Sequence, residues 1–364
     1  MNKIKAFLAR KGVVCSFRQY GVDALGAMAQ GLFCTLLVGT ILNTLGQQLH
    51  IGFLTAPVVS VGTVSYTVGG LASAMVGPGI AAAIGTALHC PPLVLFSLIP
   101  VGFAANAMGG AGGPLAVYAV TIIAAELGKL VSKETRIDIL VTPCVTVIAG
   151  IAVAQLIAAP IGTAARAVGL AIMWATELQP FFMGVLVSAL IGIALTLPIS
   201  SAAICAAFGL TGLAGGAAVA GCCAQMVGFA VMSFKENRWG GLVAQGVGTS
   251  MLQMPNILKN PRIWIPPTLA SMITGPLATC VFKLQMNGSP VSSGMGTCGF
   301  VGQIGVYTGW VSDIAAGTKA AITPMDWIGL VLICFILPAV LSTLFCRVLE
   351  KRGWIREGDM KLDL

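Results

Sequence analysis

Charge is what this chain has least of. Asp, Glu, Lys and Arg make up only 9% of its 364 residues, against about 25% in a soluble domain. None of the four occurs between Asp23 and Glu126, or between Glu177 and Lys235. Each gap has room for several apolar spans of about 20 residues, so a soluble fold is excluded and a polytopic membrane protein is expected. The apolar runs lack the alternation of a lipid-facing strand, which excludes a barrel and leaves helices. Histidine is nearly missing as well. His50 and His89 are the only two; each falls at a turn or span end and reads as an interface residue. Eleven cysteines are present, but no C-x-x-C pair and no Cys/His cluster has zinc spacing. Scattered through apolar runs, the thiols act as small hydrophobes. No metal, no cofactor and no enzymatic constellation is expected.

The charge that is present is informative by position. The net charge of +8 does not point to nucleic acid, because the basic residues sit at the ends. Lys3, Lys5, Arg10, Lys11 and Arg18 precede the first span, and Arg347, Lys351, Arg352 and Arg356 follow the last. That is the cytoplasmic excess expected of membrane topology. Both termini are therefore expected in the cytoplasm and the chain in the inner (cytoplasmic) membrane. Met1–Tyr20 reads as an interfacial helix on anionic lipid. It lacks the compact apolar run and cleavage site of a signal peptide, so no processing is expected.

Taken in order, the apolar stretches are Ala24–Leu45, Ala56–Val76, a short Pro78–Leu88, Leu93–Ala105, Leu115–Leu130 and Ile139–Ala159, then a slanted or interfacial Pro160–Glu177. Pro180–Leu197, Ile204–Ala220, Cys222–Phe234, Thr268–Phe282 and Asp326–Cys346 follow. The expected fold is all-α, with about ten transmembrane helices plus two re-entrant broken segments. Gly109–Gly113 is suited to an anion cradle or to tight turns and close crossings, and the second fits a membrane chain better. Glu126 and Lys129 form a helical pair near a span end. Glu177, beside Gln179 and Pro180, is open between a proton or cation partner and an interface residue.

The two broken segments are the polar exceptions. Gly246–Pro267, GVGTSMLQMPNILKNPRIWIPP, gathers Thr249, Ser250, Gln253 and Asn256 between paired glycines and paired prolines. Asn287–Trp310, NGSPVSSGMGTCGFVGQIGVYTGW, carries Ser292, Ser293, Thr297 and Gln303 without any charge. In a membrane, interrupted backbone of this kind is tolerated where it is buried in protein or lines a wet cavity, and transporters use it to bind solutes. A polar surface loop is the alternative for the first segment; the apolarity of Gly241–Met254 favours re-entry. The proline breaks Pro198 and Pro255 remove backbone donors beside Thr196, Ser200 and Ser201 on one side and Thr249, Ser250, Gln253 and Asn256 on the other. These seven residues are expected to face one another across a cavity, with Ser292 and Ser293 on a third wall. Hydroxyls and amides bind a small polar solute without fixing a charge. Sodium coupling through carbonyls and hydroxyls is compatible with the same set.

Three stretches carry a family resemblance. VGTVSYTVGGLASAMVGPGIAAAIG (61–85), FFMGVLVSALIGIALTLPISSAAICAAFGL (181–210) and GVGTSMLQMP (246–255) occur in the order and spacing of the membrane-spanning IIC component of phosphotransferase-system sugar permeases. The chain resembles the fructose type and, within it, a stand-alone PfoR-like branch. Thr196, Ser200 and Ser201 stand where that family has Asp, Asn and Lys, and Met251 stands about where it has its sugar-binding Glu. The resemblance implies an elevator-type transporter of a sugar, polyol or small organic anion, assembled as a homodimer in membrane lipid. It further implies a cytoplasmic or interfacial segment 1–22, a scaffold and dimerisation half 23–178, a solute-binding half 179–346 and a cytoplasmic tail 347–364. No phosphocysteine or phosphohistidine domain is read in the sequence, so phosphotransfer would need cytoplasmic phosphocarrier domains on separate chains. A membrane-bound solute sensor or regulator is the other alternative.

Overall fold

The computed structural model describes residues 7–8, 10–13 and 16–362. Residues 1–6, 9, 14 and 15 of the expected N-terminal interfacial segment lie outside the described residues. The chain is an all-α polytopic membrane protein that divides into two compact units, Met1–Ala164 and Ala165–Leu364. Among the described residues five helices are long and apolar enough to cross a membrane, or six when one bent pair counts as a single span.

The first unit begins with α1 (Gln19–Gln48). The stretch expected to form one span over Ala56–Val76 instead makes a short antiparallel hairpin, β1 (Val59–Val61) with β2 (Val64–Tyr66). Its valines alternate with Ser60 and Ser65, a strand pattern. Gly62 turns the chain at φ +62°, a conformation that costs glycine nothing. Thr67 then caps α2 (Val68–Ala74), accepting from the Gly70 N–H and donating to Asn43 Oδ1 at 2.7 Å. A 53° bend separates α2 from α3 (Val76–Ala87). Pro78 sits in the first turn of α3, where its missing N–H is no loss.

Next come α4 (Pro92–Gly109) and α5 (Gly113–Val131). The chain doubles back between them, with Gly110 at φ +53°, so that Gly128 near the end of α5 packs on Val94 near the start of α4. α3 and α4 touch backbone to backbone at Gly77 and Gly102, where a Cβ on either residue would strike the other's carbonyl oxygen. Small residues permit this approach in helices that no hydrophobic effect drives together. α6 (Asp138–Thr176) starts in this unit. Its 39 residues run roughly 58 Å as a helix. The span and slanted connector read from the sequence are therefore one continuous helix. Ile139, Ile148 and Leu156 on α6 are exposed while Thr142 and Thr146 are buried, the inverted polarity of a protein solvated by lipid.

The second unit is organised on α9. It contains α7 (Pro180–Thr196), α8 (Ser201–Ala207), α9 (Gly212–Met232), α10 (Phe234–Val243), α11 (Met254–Lys259), α12 (Ile265–Pro276), α13 (Val301–Ala315) and α14 (Pro324–Lys351). Of the most apolar stretch of α9, 94% is buried, against 22% for α6, so α9 is a core post rather than a lipid-facing helix. The sequence suggested two spans parting near Gly221. The structure has one helix, because Gly216 and Gly221 are contact points and not breaks. A Cβ on Gly221 would meet the Ser188 carbonyl of α7, and one on Gly216 the Leu284 carbonyl. The chain reverses earlier, at residues 208–211, with Gly209 at φ +60°.

Overpacking at such a contact costs about 1–3 kcal/mol. Gly221→Ala is expected to lower the thermal midpoint accordingly. Gly240→Ala, on an exposed stretch of α10 with nothing within 4 Å of the added carbon, is expected to leave it unchanged or raise it. Thermal unfolding of both variants in one detergent checks the contrast.

Candidate functional site

Both polar segments of the second unit are broken, and both find partners around α9. The first passes through a π-turn (Ala244–Gly248), a 3₁₀ turn (Ser250–Gln253), α11 and a second 3₁₀ turn (Pro261–Trp264) before α12. Thr249 is extended between the first two turns and caps the second by accepting from the Met251 N–H at 3.2 Å. Pro198 lies just past the end of α7, and Pro255 occupies the first turn of α11, where proline is favoured. The other broken segment pairs its backbone with the start of α9. Gly212 and Met286 exchange two N–H···O bonds of 3.0 Å, and the Asn287 carboxamide oxygen also accepts from the Gly212 N–H.

The expected site residues fall into three groups. In the first, Thr196 Oγ1 and Ser250 Oγ share a hydrogen bond of 2.8 Å, both fully buried. Thr196 also lies 3.4 Å from Gln225 Oε1. Gln225, fully buried on α9, accepts from the Trp264 indole N–H at 3.0 Å and donates to Thr268 Oγ1 at 3.2 Å. Five side chains from α7, α9, two 3₁₀ turns and α12 thus form one network of hydroxyls, an amide and an indole. It contains no formal charge.

In the second group, Gln253 and Asn256 bind the end of the chain. Asn256 donates to Gln253 Oε1 at 2.9 Å and to the Lys361 carbonyl at 2.8 Å. Gln253 donates to Gln245 Oε1 and to the Met360 carbonyl, both at 2.9 Å. Asn237 holds the same strand from both sides, donating to the Met360 carbonyl and accepting from the Leu362 N–H, each at 2.8 Å. Glu236 accepts from the Gly358 and Met360 N–H groups at 3.1 Å. Burial pushes the Glu236 carboxyl above its ordinary range, and those two N–H donors pull it partly back. Asn260 donates to the Trp354 carbonyl and Asp359, Arg262 stacks over Trp354, and Ile355 and Met360 are buried. The tail is clamped like a bound peptide.

The third group joins the turns after α7 to the second broken segment. Ser201 donates to the Gly294 carbonyl at 2.7 Å and Ser293 to the Leu210 carbonyl at 2.6 Å. Ser200 caps its own helix by accepting from the Ala203 N–H. Ser292 is buried beside Gly305. Gln303 and Thr297 lean on α9 through the sulfurs of Cys223 and Met226. The buried Gln303 Oε1 has no partner among the described residues, which leaves an acceptor for a ligand or water.

Gln225, Gln245, Trp264 and Thr268 were not singled out from the sequence. A carboxamide in the middle of a 21-residue apolar helix was the available signal for Gln225, since a buried amide must find partners. Glu177, His50 and His89 are exposed, and Glu126 pairs with Lys129 at 2.8 Å. Among the described residues no cluster of His, Cys, Asp and Glu is placed to hold a metal ion.

The profile of the family described as "Phosphotransferase system, EIIC" matches residues 22–362. The chain belongs to this family. EIIC chains are the membrane permease components of sugar phosphotransferase systems, so this is a multi-pass membrane protein of the sugar-permease type. No curated protein and no solved structure matches it. Within an EIIC chain of this kind, the uncharged network around Gln225 has the groups to hold sugar hydroxyls: donors and acceptors in one place, and an indole ring to pack on a C–H face.

If the tail is held by the amide clamp, Asn237→Ala removes two of its bonds at once. In a background without other reactive cysteines, Met360→Cys is expected to label slowly with a polar maleimide. It should label about tenfold faster once Asn237→Ala costs the clamp roughly 1.4 kcal/mol. Equal rates would show that the tail docks without the clamp.

Proposed function

We propose that this EIIC chain moves a neutral polyhydroxylated solute, a sugar or polyol, across the cytoplasmic membrane, holding it at Thr196, Ser250, Gln225 and Trp264. The observation that supports the reading is the buried network itself, where the first broken segment meets α9, the end of α7 and the start of α12 with hydroxyls, an amide and an indole and no charge. A solute hydroxyl can take the place of the Ser250 hydroxyl on Thr196, or of Thr268 on Gln225, with no charge to desolvate. A small organic anion fits the same network less well, because no cation belongs to it. Ser201, Ser292, Ser293 and Gln303 are then the supports of the opposing turn, and Thr249, Gln253 and Asn256 set the position of Ser250.

Alternating access in this reading is of elevator type, in a homodimer built on the half 23–178 with the half 179–346 carrying solute; both rest on the family's architecture. Both termini face the cytoplasm, supported by the basic clusters at each end. A second reading, an IIC subunit that works with phosphodonor domains on separate chains, is favoured by family membership alone.

Uptake by proteoliposomes across a panel of hexoses and hexitols tests the proposal. Saturable uptake of at least one of them is expected, with the free solute recovered inside. Thr196→Val and Gln225→Leu should raise its KM about tenfold or more each, since a hydrogen bond in a dry site is worth about 1.5 kcal/mol. Uptake that requires phosphodonor proteins and delivers a phosphorylated sugar would favour the second reading. Normal KM values in both variants would remove the site from this network.

A further inference from the structure

A basic cavity in the first unit has no part in the solute site. It encloses about 450 Å³, enough for a compact ligand group. Arg10, Lys11, Lys129 and Lys133 line it against a single lining carboxylate, Glu134. Every wall comes from a helix end. Pro91 directly precedes α4, Lys129 is in the last turn of α5, Ser132 to Glu134 lie in the loop before α6, and Arg10 and Lys11 precede α1. Such ends lie where spans leave the hydrocarbon.

Two of the four cations are held in place by the protein, while Arg10 and Lys133 are exposed at the mouth. Lys129 is 2% exposed; its ammonium donates to the Gly12 and Leu88 carbonyls and pairs with Glu126. Lys11, whose side chain is 9% exposed, bonds the Ser132 carbonyl and Glu134. Arg10 reaches the same Glu134 oxygen at 2.9 Å. One carboxylate oxygen thus serves two cations, and that sharing holds the Glu134 carboxyl below its usual range. Asp138 accepts from the Lys133 backbone N–H and from Thr142. Even with Glu126 and Asp138 counted beside Glu134, four cations outnumber three anions. A cavity at a membrane boundary with excess cations partly out of water favours an anion. Ile137, Ile139 and Leu140, at the adjoining start of α6, are exposed and apolar, a surface along which an acyl chain can lie.

We propose that this cavity is a binding site for a phosphate-bearing anion. The phosphate oxygens accept from Arg10, Lys11 and Lys133, and the bound anion ties the segment before α1 to the α5–α6 loop. An anionic lipid headgroup and free phosphate both offer this chemistry, and the two are separable by experiment.

The purified full-length chain in a neutral detergent is titrated with dioleoyl phosphatidylglycerol, dioleoyl phosphatidylcholine and inorganic phosphate. Binding is read by native mass spectrometry and by the thermal midpoint. Phosphatidylglycerol is expected to bind about tenfold tighter than phosphatidylcholine, and Arg10→Gln with Lys133→Gln to abolish that preference, the order expected for two cations at a membrane surface. The control pair Arg352→Gln with Arg356→Gln, on exposed tail positions, should keep it. Competition by millimolar phosphate makes this a site for the free ion as well; its absence assigns the site to lipid. An unchanged preference in the Arg10/Lys133 variant overturns the proposal. So does an equal loss in the control pair, or no preference and no phosphate binding in the parent chain.

Discussion

Lipid offers no hydrogen bonds to a polypeptide backbone, and the second unit is built around that constraint. Its two broken segments expose peptide groups that an intact helix would have satisfied, and each finds its partner inside the protein. Gly212 and Met286 pair across the start of α9, Ser201 takes the Gly294 carbonyl, Ser293 takes the Leu210 carbonyl, and Thr249 caps its own turn. α9 is the surface on which these segments rest, which is why it is almost wholly buried and why Gly216 and Gly221 have no room for a side chain.

The same constraint explains the site. A carboxamide at the centre of a membrane protein costs several kcal/mol unless bonded, and Gln225 is satisfied by Thr196, Trp264 and Thr268 together. Those partners come from the end of α7, the second 3₁₀ turn and α12, so the network exists only when the broken segment is folded against α9. Hydroxyl partners can rotate and exchange, whereas the backbone pairs cannot. In the proposed reading, solute recognition and the packing of the broken segment share residues, and Met251, buried beside Ser250, contributes packing alone.

Much of this was legible in the sequence. The long charge-free gaps gave the membrane class, the residues from Gly246 to Pro267 stood out as broken and polar, and three motifs carried the EIIC resemblance that the profile bears out. What was not legible depended on partners far along the chain. The tail at residues 354–362 reads as solvated because it is polar and charged, yet Asn237, Gln253 and Asn256 bind its backbone across more than a hundred residues. The hairpin at residues 59–66 was hidden because its valines extend an apolar run, and the period of two was outweighed by mean hydropathy. Gly221 looked like a boundary because a glycine that breaks a helix and one that admits a neighbour look alike in one sequence.

The central claim, that solute sits beside Gln225 and Trp264, is most directly tested by the fluorescence of Trp264. With the other five of the six tryptophans replaced by phenylalanine, the transported sugar or polyol should shift Trp264 emission. The shift should saturate at the concentration that saturates uptake, and Thr196→Val should move both midpoints together. Unchanged Trp264 emission at a concentration that saturates uptake by the same protein would contradict it.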